Sequence, residues 1–332
     1  MYTSLRRLSV TIAAAGALAT TAAFAIGGPA NASPASASQA GGASYHFQTL
    51  DNGADLTFNQ LLGINDDGVI AGYFGSGAQG HPNKGYELWT PSTYRTENFP
   101  SSVQTQVTGL NNEGVTVGFW STMNTASMTN NNFGFYSVNG SFHNVNFPTG
   151  DNASPQVDQL LGVNDHDVAV GFYTNGQGSN RGYEYNIGTH QFTRVLPPGY
   201  TSSTSLQSPS LTAAAINDHG DVAGFYNKTS SLVDAFLQLH SGHFITLAVP
   251  GASMTQAFGV NDNDEVVGTY TTGSGSSAQT YGFTWQSGHG FTTISDPHGI
   301  GTTTVNGVND HGDLVGFYTD STGNTDGMLV TP

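Results

Sequence analysis

Acidic side chains recur in one short turn of this sequence, where they could form a metal site. The carboxylates that directly follow the turn asparagine are Asp66, Asp165, Asp218, Asp262 and Asp310. Oxygen ligands of this kind bind Ca²⁺, so turns gathered around one axis could hold that ion. However, Asn and Asp also close tight turns with their own side chains, and no copy continues to the distal Glu of an EF-hand loop. The pattern therefore favours turn closure and predicts no resident cofactor, with Ca²⁺ at these carboxylates as the alternative.

Three of these turns also carry a histidine at one shared position. The residues are His166, His219 and His311. Neutral imidazoles on neighbouring turns could bind a transition metal. The three belong to the third, fourth and sixth copies of the turn, so they are not all adjacent. Solvated turn histidines are the favoured interpretation.

A basic, an aromatic and an acidic residue occur together at two places in the chain. The segments run from Lys84 to Glu87 and from Arg181 to Glu184, and each has the form base-Gly-Tyr-Glu. A ring that stacks on a sugar, flanked by groups that form paired hydrogen bonds, could bind a glycan or a carboxylated ligand. A local salt bridge beside a core aromatic is the alternative. The predicted ligand-binding residues are Lys84, Tyr86, Arg181, Tyr183 and Lys228.

Two glutamates of these segments are the best candidates for catalysis. Glu87 and Glu184 could act as the carboxylate pair of a glycosidase. The chain contains no Gly-x-Ser-x-Gly elbow, HExxH helix, phosphate-binding glycine loop or Ser-x-Asp-x-Gly-x-Thr-Trp turn of the sialidase type. The sequence therefore does not predict an enzyme, but the absence of these motifs does not exclude one.

All of these residues lie in a repeat that occurs six times. Its most constant phrase reads GINDDGVIAGYF, GLNNEGVTVGFW, GVNDHDVAVGFY, AINDHGDVAGFY, GVNDNDEVVGTY and GVNDHGDLVGFY, beginning at Gly63, Gly109, Gly162, Ala215, Gly259 and Gly307. The copies are 44 to 53 residues apart. A short run, aromatic in the first five copies and Gly327-Met328-Leu329 in the sixth, follows each phrase, and a segment of alternating apolar and polar residues follows the first five runs. We refer to the copies as repeats 1 to 6.

This pattern predicts four short strands in each repeat, here called a to d. The Asn-Asp stretch makes a tight hairpin between strands a and b, the aromatic run is strand c, and the alternating segment is strand d. Repeats of this length and strand content are typical of propeller blades. The chain begins with a lone d strand at Tyr45 to Leu50 and ends after a lone c strand. We therefore predict an all-β, six-bladed β-propeller of four-stranded blades, closed by the N-terminal strand completing the last blade. An open solenoid is the alternative.

The repeated phrase, followed by its aromatic strand, resembles the bacterial extracellular repeat family called HAF. The resemblance covers essentially all of residues 45–332. The His-Ala-Phe triplet of that family has its nearest match here in Asp234-Ala235-Phe236, and the other copies depart from it. The resemblance implies export and a repeat architecture, and it supplies no catalytic residues.

The N-terminal residues have the pattern of an export signal. Arg6 and Arg7 precede an Ala-rich apolar run that ends in small residues, which predicts a signal peptide over residues 1–37, cleaved after about residue 32 or 37. We expect the general secretory route rather than the twin-arginine route. Residues 38–44 are predicted to be a flexible linker, and residues 45–332 a single domain without cysteines.

Charge and export together restrict the partners. A net charge of −16 argues against nucleic acid and anionic membranes, and no later apolar run is long enough to insert into a membrane. We expect a secreted, monomeric binding protein for extracellular glycan, polymer or a partner protein. Its variable b–c and d–a loops, such as residues 75–84 and 197–212, would supply the binding face. A polysaccharide hydrolase or lyase acting at the channel mouth is the alternative.

Overall fold

The computed structural model describes residues 45–89, 92–122, 131–201 and 207–332. The predicted signal peptide and linker lie outside these residues, as do parts of two variable loops. The regular secondary structure of the described residues is β-strand, with short 3₁₀ turns such as Gly275–Ser277. None of them forms a helix that is long and apolar enough to cross a membrane.

Twenty-four strands, numbered in chain order, follow the predicted repeats. Repeat 1 contains β2 (Asn59–Ile64), β3 (Ile70–Phe74), β4 (Lys84–Trp89) and β5 (Thr93–Thr96); repeat 2 contains β6 (Gln104–Leu110), β7 (Val115–Ser121), β8 (Phe133–Val138) and β9 (Ser141–Val145). Repeat 3 contains β10 (Asp158–Val163), β11 (Val168–Thr174), β12 (Asn180–Asn186) and β13 (Gln191–Arg194). Repeat 4 contains β14 (Leu211–Ile216), β15 (Val222–Thr229), β16 (Leu232–Gln238) and β17 (Phe244–Leu247). Repeat 5 contains β18 (Met254–Val260), β19 (Val266–Thr272), β20 (Gln279–Gln286) and β21 (Gly290–Ile294); repeat 6 contains β22 (Thr303–Val308), β23 (Leu314–Thr319) and β24 (Thr325–Thr331), and β1 is His46–Thr49.

The strands form antiparallel four-stranded sheets in a propeller-like arrangement, as predicted, but not six separate ones. Repeats 1, 2, 3 and 6 each form a separate sheet, whereas repeats 4 and 5 share one eight-stranded sheet. The link between them is a single parallel pair, Val233 with Met254, at the start of β16 and β18. Parallel bridges also join other neighbouring repeats, for example Asn132 with Val157. These pairs lie where strand c begins, at the end of the sheets that carries the b–c connections. Backbone groups of adjacent repeats approach closely there, so hydrogen bonding crosses from one sheet to the next.

The two ends of the chain meet in one sheet. Strand β1 pairs antiparallel with β24, from His46 opposite Thr331 to Thr49 opposite Met328. This sheet has the order β1-β24-β23-β22, so the N-terminal strand occupies the outer position that strand d occupies in the other repeats. This is the pairing that the split repeat predicts.

A β-bulge in every strand a explains one glycine of the repeated phrase. The pairing of β10 with β11 shifts between Leu160 and Gly162, and the corresponding strands of the other repeats shift at the same place. The bulge brings the carbonyl oxygen of Gln159 so close to Gly171 that a Cβ atom there would lie 2.0 Å away. Only glycine fits opposite the bulge.

Aromatic side chains of strands b and c fill the spaces between sheets. Fully buried examples are Tyr73, Phe135, Tyr173, Phe236 and Phe283. Full burial of one large apolar side chain contributes about 1.5 to 3 kcal/mol. Because each sheet packs against a neighbour on both faces, apolar side chains are needed on both faces.

Repeat 3 also buries a carboxyl group, Asp158, which is 0% exposed. Its Oδ1 accepts a hydrogen bond from the Tyr183 hydroxyl at 2.5 Å, and its Oδ2 accepts one from the Phe147 backbone N–H at 2.7 Å. Burial raises the pKa of Asp158 to about 7, although both hydrogen bonds and the nearby positive charge of Arg194 act to lower it. The native protein therefore holds a proton that the unfolded chain releases at a lower pH.

We expect this carboxyl group to make the protein less stable as the pH rises. Between the unfolded and folded pKa values the native state binds more protons, so raising the pH from about 5 to about 8 should lower the free energy of unfolding by about 2 to 3 kcal/mol through this group. Urea unfolding at several pH values measures the slope, and Asp158→Asn should flatten it. Asp67→Asn, at an exposed turn position, is the control. Equal slopes in wild type and Asp158→Asn would contradict the assignment.

Candidate functional site

Six turn asparagines form a closed ring around the central channel. Each Nδ2 donates to the backbone carbonyl of the equivalent asparagine in the next repeat, at 2.9 to 3.2 Å. Each Oδ1 accepts a backbone N–H of its own turn, as Asn111 does from Val115 at 2.8 Å. The last donor, Asn309, reaches the carbonyl of Asn65 and completes the circle. The members are Asn65, Asn111, Asn164, Asn217, Asn261 and Asn309.

A second ring lies directly beside the first. Its members are Asp66, Asn112, Asp165, Asp218, Asp262 and Asp310, and each Oδ1 accepts the backbone N–H of the equivalent residue in the preceding repeat, at 2.7 to 2.9 Å. In repeat 2 the position is an amide, whose Nδ2 donates to the free oxygens of Asp66 and Asp165. The two rings surround a cavity of about 80 Å³.

The five aspartates predicted as Ca²⁺ ligands are therefore brought together, but as acceptors that link neighbouring repeats. Burial, together with the charges of neighbouring ring aspartates, raises the pKa of Asp218 and of Asp310. Within the described residues, the group of three potential metal ligands with atoms within 4.8 Å of one another lies elsewhere, at His219, Asp221 and Asp264. The ring geometry thus accounts for the repeated Asn-Asp dipeptide without an ion.

In the group of His219, Asp221 and Asp264, the two aspartates already have structural roles. Asp221 is buried and accepts the His240 backbone N–H at 2.6 Å. Asp264 occupies the left-handed turn position, with φ of 56°, that glycine fills in four of the other copies. Burial and the neighbouring Asp221 carboxyl raise the pKa of Asp264. His219 is exposed, as the sequence interpretation expected.

The two tyrosines predicted to bind a ligand lie in the core. Tyr86 is 1% exposed and Tyr183 is 0% exposed, and the Tyr183 hydroxyl is used by Asp158. A ring without exposed surface cannot stack on a sugar, so this burial disagrees with the predicted role. The physical reason is that strand c packs between two sheets, which places its first aromatic residue inside.

The three predicted basic residues contact the protein itself. Arg181 is buried, and its Nη1 donates to the Ser208 carbonyl at 2.7 Å. Lys84 Nζ donates to the Val103 carbonyl at 3.2 Å, and Lys228 Nζ lies 2.8 Å from Asp234 Oδ2. Lys84, Arg181 and Lys228 belong to three different repeats, and these contacts do not assemble them into one site.

The two candidate catalytic glutamates are also separate. Glu87 lies on β4 of repeat 1 and Glu184 on β12 of repeat 3, and the sheet of repeat 2 stands between them. Burial raises the pKa of Glu184, with His240 acting in the opposite direction. A glycosidase pair needs two carboxyl groups on either side of one bond. This arrangement does not provide that pair.

One cluster with a base, an aromatic ring and a carboxylate does form, with partly different residues. Trp89, at the end of β4, is 39% exposed, and its Nε1 donates to Glu87 at 2.9 Å. The guanidinium carbon of Arg95 lies 4.0 Å from the centre of the indole ring. Glu87 and Arg95 are directly opposite each other on β4 and β5. We call Glu87, Trp89 and Arg95 the Trp89 cluster.

The chemistry of the Trp89 cluster suits a polyhydroxylated ligand. The partly exposed indole offers an apolar surface, the cation–π contact with Arg95 restrains it, and the carboxylate and guanidinium supply an acceptor and donors. Sequence reasoning missed Trp89 and Arg95 because it grouped residues adjacent in the chain. The alternation of side chains and the β4–β5 hairpin were the signals that could have found the cluster.

Comparison with known proteins adds information on the fold alone. No protein-family model and no curated protein sequence matches the chain. Among solved structures, AofleA from Arthrobotrys oligospora is similar with a TM-score of 0.52 and 11% identity, covering 87% of each chain. The fucose-specific lectin from Aleuria aurantia has a TM-score of 0.45 and 11% identity, covering 78% of this chain and 86% of its own. A family PL25 polysaccharide lyase, an ulvan lyase, has a TM-score of 0.42 and 13% identity, covering 80% and 77%. The likeness to AofleA agrees with the all-β, propeller-like arrangement of four-stranded sheets seen in this chain.

Proposed function

We propose that this protein is a secreted glycan-binding protein and that the Trp89 cluster is one of its binding sites. The observation that carries the proposal is a partly exposed indole held between a guanidinium at 4.0 Å and a carboxylate at 2.9 Å. An indole face covers the apolar face of a sugar ring, while charged groups beside it bond to hydroxyls. The Trp89 cluster lies at the c–d hairpin, at the end of the sheet that carries the Asn-Asp turns, because Leu88 is opposite Ile70. The variable b–c and d–a loops lie at the other end and would make a separate contact with a long glycan.

The proposal includes the architecture and the export that the sequence predicts. The proposal takes the eight-stranded sheet as two blades, which gives six, and the six members of the asparagine ring support this count. The N-terminal signal pattern and the resemblance to the HAF repeat family support export. Zero cysteines and an acidic, amide-rich surface fit a protein that acts outside the cell.

Trp89→Ala is expected to weaken binding to glycans. An array of plant, fungal and bacterial polysaccharides should identify bound glycans, and titration calorimetry should then show at least about tenfold weaker binding by the variant, because stacking is lost. The variant should melt at nearly the wild-type temperature, since Trp89 is exposed.

Leu56→Ala is the matched control, because Leu56 is also exposed, at 61%, and is apolar without the charged neighbours. It should bind as the wild type does. A wild-type protein that binds no polysaccharide on the array would overturn the proposed function. Equal affinities of Trp89→Ala and wild type would remove the Trp89 cluster from it.

A further inference from the structure

We propose that an amide-lined pocket between repeats 1 and 2 is a second glycan-binding site, which receives sugar hydroxyl groups at the end of the sheets away from the Trp89 cluster. Its polar lining comes from Asn83, Gln104, Gln106, Ser121 and Asn132, with Phe119 and Trp120 as the apolar wall. We call it the amide pocket. This inference rests on the proposed function, because it specifies where a glycan would contact the face opposite the Asn-Asp rings.

The topology places the amide pocket at the b–c and d–a end of the sheets. Asn83 directly precedes β4 and Asn132 directly precedes β8, while Ser121 ends β7 and Gln104 begins β6. The space inside is narrow, about 10 Å³, which is the size of a hydroxyl group or one water molecule. Such a space suits the hydroxyls of a larger ligand that lies across its mouth.

Two buried side-chain oxygens in the amide pocket lack a hydrogen-bond donor within the described part of the chain. Gln106 is 3% exposed, and its Nε2 donates to Asn83 Oδ1 at 2.9 Å, but its Oε1 accepts no bond. Asn132 is 6% exposed, and its Oδ1 likewise accepts none. Buried acceptors of this kind cost stability until a donor reaches them. Two of them in one pocket call for a ligand with neutral O–H groups.

Repeat 1 shows how the chain itself can satisfy the equivalent acceptor. There Gln60 lies opposite Tyr73, and the tyrosine hydroxyl donates to Gln60 Oε1 at 2.8 Å. In repeat 2 the same register places Gln106 opposite Phe119, which has no hydroxyl. The internal donor of repeat 1 is thus missing in repeat 2, and a sugar hydroxyl is its chemical equivalent.

The remaining lining favours a neutral polyol over an ion. Among the residues that the structure describes, those that line the pocket are all uncharged. Trp120 has Phe99 at 4.4 Å and Phe133 at 4.9 Å between ring centres, and its Nε1 donates to Asn144 at 2.9 Å, so this aromatic wall is held rigidly. Amide groups beside an apolar wall provide hydrogen bonds and an apolar contact in one place, which is what a sugar requires.

Phe119→Tyr tests the amide pocket by restoring the internal donor of repeat 1. Nuclear magnetic resonance of the intact protein would follow the side-chain amide signals of Gln106 and Asn132, assigned through Gln106→Leu and Asn132→Leu, during titration with a panel of methyl glycosides. The wild-type signals should shift, and at least about tenfold more glycoside should be needed in Phe119→Tyr. Phe172→Tyr, opposite Gln159 in repeat 3, is the matched control and should respond as the wild type does.

If Phe119→Tyr does not fold, Asn132→Ala replaces it, and the Gln106 signals report the lost affinity. Signals that do not move with any glycoside, or that move equally in Phe119→Tyr and wild type, would overturn the inference, as would a crystal structure of the soaked protein with only a water in the pocket. If the protein binds a polysaccharide on the array but the amide signals of Gln106 and Asn132 do not shift, the proposed function is retained and the amide pocket is rejected as a binding site. Moving amide signals with no binding on the array would support the pocket and reject the proposed function at the Trp89 cluster.

Discussion

Gly171→Ala is expected to lower the free energy of unfolding by at least about 3 kcal/mol, or to prevent folding altogether. The added Cβ would lie 2.0 Å from the Gln159 carbonyl oxygen and 3.0 Å from the Leu160 Cα. Both are backbone atoms, so no side-chain rotation relieves the clash. To make room for the Cβ atom, the backbone would instead have to move and straighten the bulge between Leu160 and Gly162. That movement would disturb the strand that lines the channel.

Urea unfolding followed by tryptophan fluorescence measures this effect. Gly150→Ala is the control, because Gly150 is exposed and a Cβ there meets no atom within 4 Å. It should change stability by less than about 0.5 kcal/mol. A Gly171→Ala protein as stable as the wild type would mean that the bulge does not approach this glycine in solution. The same clash, at 1.9 to 2.5 Å, exists at Gly72, Gly118, Gly224, Gly268 and Gly316.

Asn111→Ala is expected to destabilise the protein by about 2 to 4 kcal/mol. The substitution removes the bond from Nδ2 to the Asn164 carbonyl, at 2.9 Å, and the bond that Oδ1 accepts from the Val115 N–H, at 2.8 Å. Asn111 is 3% exposed, so water does not readily replace either partner. Because the first bond joins repeats 2 and 3, its loss also opens the asparagine ring at one junction.

Glu113→Ala, in the same turn, is the matched control, since Glu113 is exposed and stands outside both rings. Thermal and urea unfolding measure the free energy of unfolding of both variants. It should be lower for Asn111→Ala than for Glu113→Ala by the same amount, about 2 to 4 kcal/mol. If Asn111→Ala and Glu113→Ala proteins had equal stability, the asparagine ring would not hold the repeats together. Asn111→Asp separates the two bonds, because it keeps an oxygen for the Val115 N–H and loses the donor to the Asn164 carbonyl; its stability should lie between those of Asn111→Ala and the wild type.

Local turn chemistry made the strand order readable from the sequence. The Asn-Asp turn needs a residue at positive φ, and Gly68, Gly114, Gly220 and Gly312 adopt it. Asp167 and Asp264 replace glycine in repeats 3 and 5 and still adopt φ of 58° and 56°, as short polar side chains can. Such turns depend on a few adjacent residues. The hairpins, the four strands per repeat and the split sixth repeat could therefore be predicted without knowledge of packing.

The sites could not be predicted in the same way. In this fold both faces of a sheet pack against neighbouring sheets, so the alternation of apolar and polar residues does not indicate which side chains reach solvent. Tyr86 and Trp89 lie three residues apart on β4, yet Tyr86 is buried and Trp89 is 39% exposed. The sequence interpretation chose the tyrosine. Whether Tyr86 is exposed depends on the neighbouring sheet, whose residues lie far away in the chain.

The recurring Asn-Asp turn shows most directly what the sequence determines and what the tertiary structure determines. The sequence by itself determined that six equal turns exist, because their spacing and composition are local properties of the chain. Only the tertiary structure decided that their side chains join successive repeats in two closed rings. It also decided that Gln106, unlike Gln60, lacks an internal donor. Hydrogen bonds between groups 44 to 53 residues apart, and between the first and last repeats, form only when the ring closes.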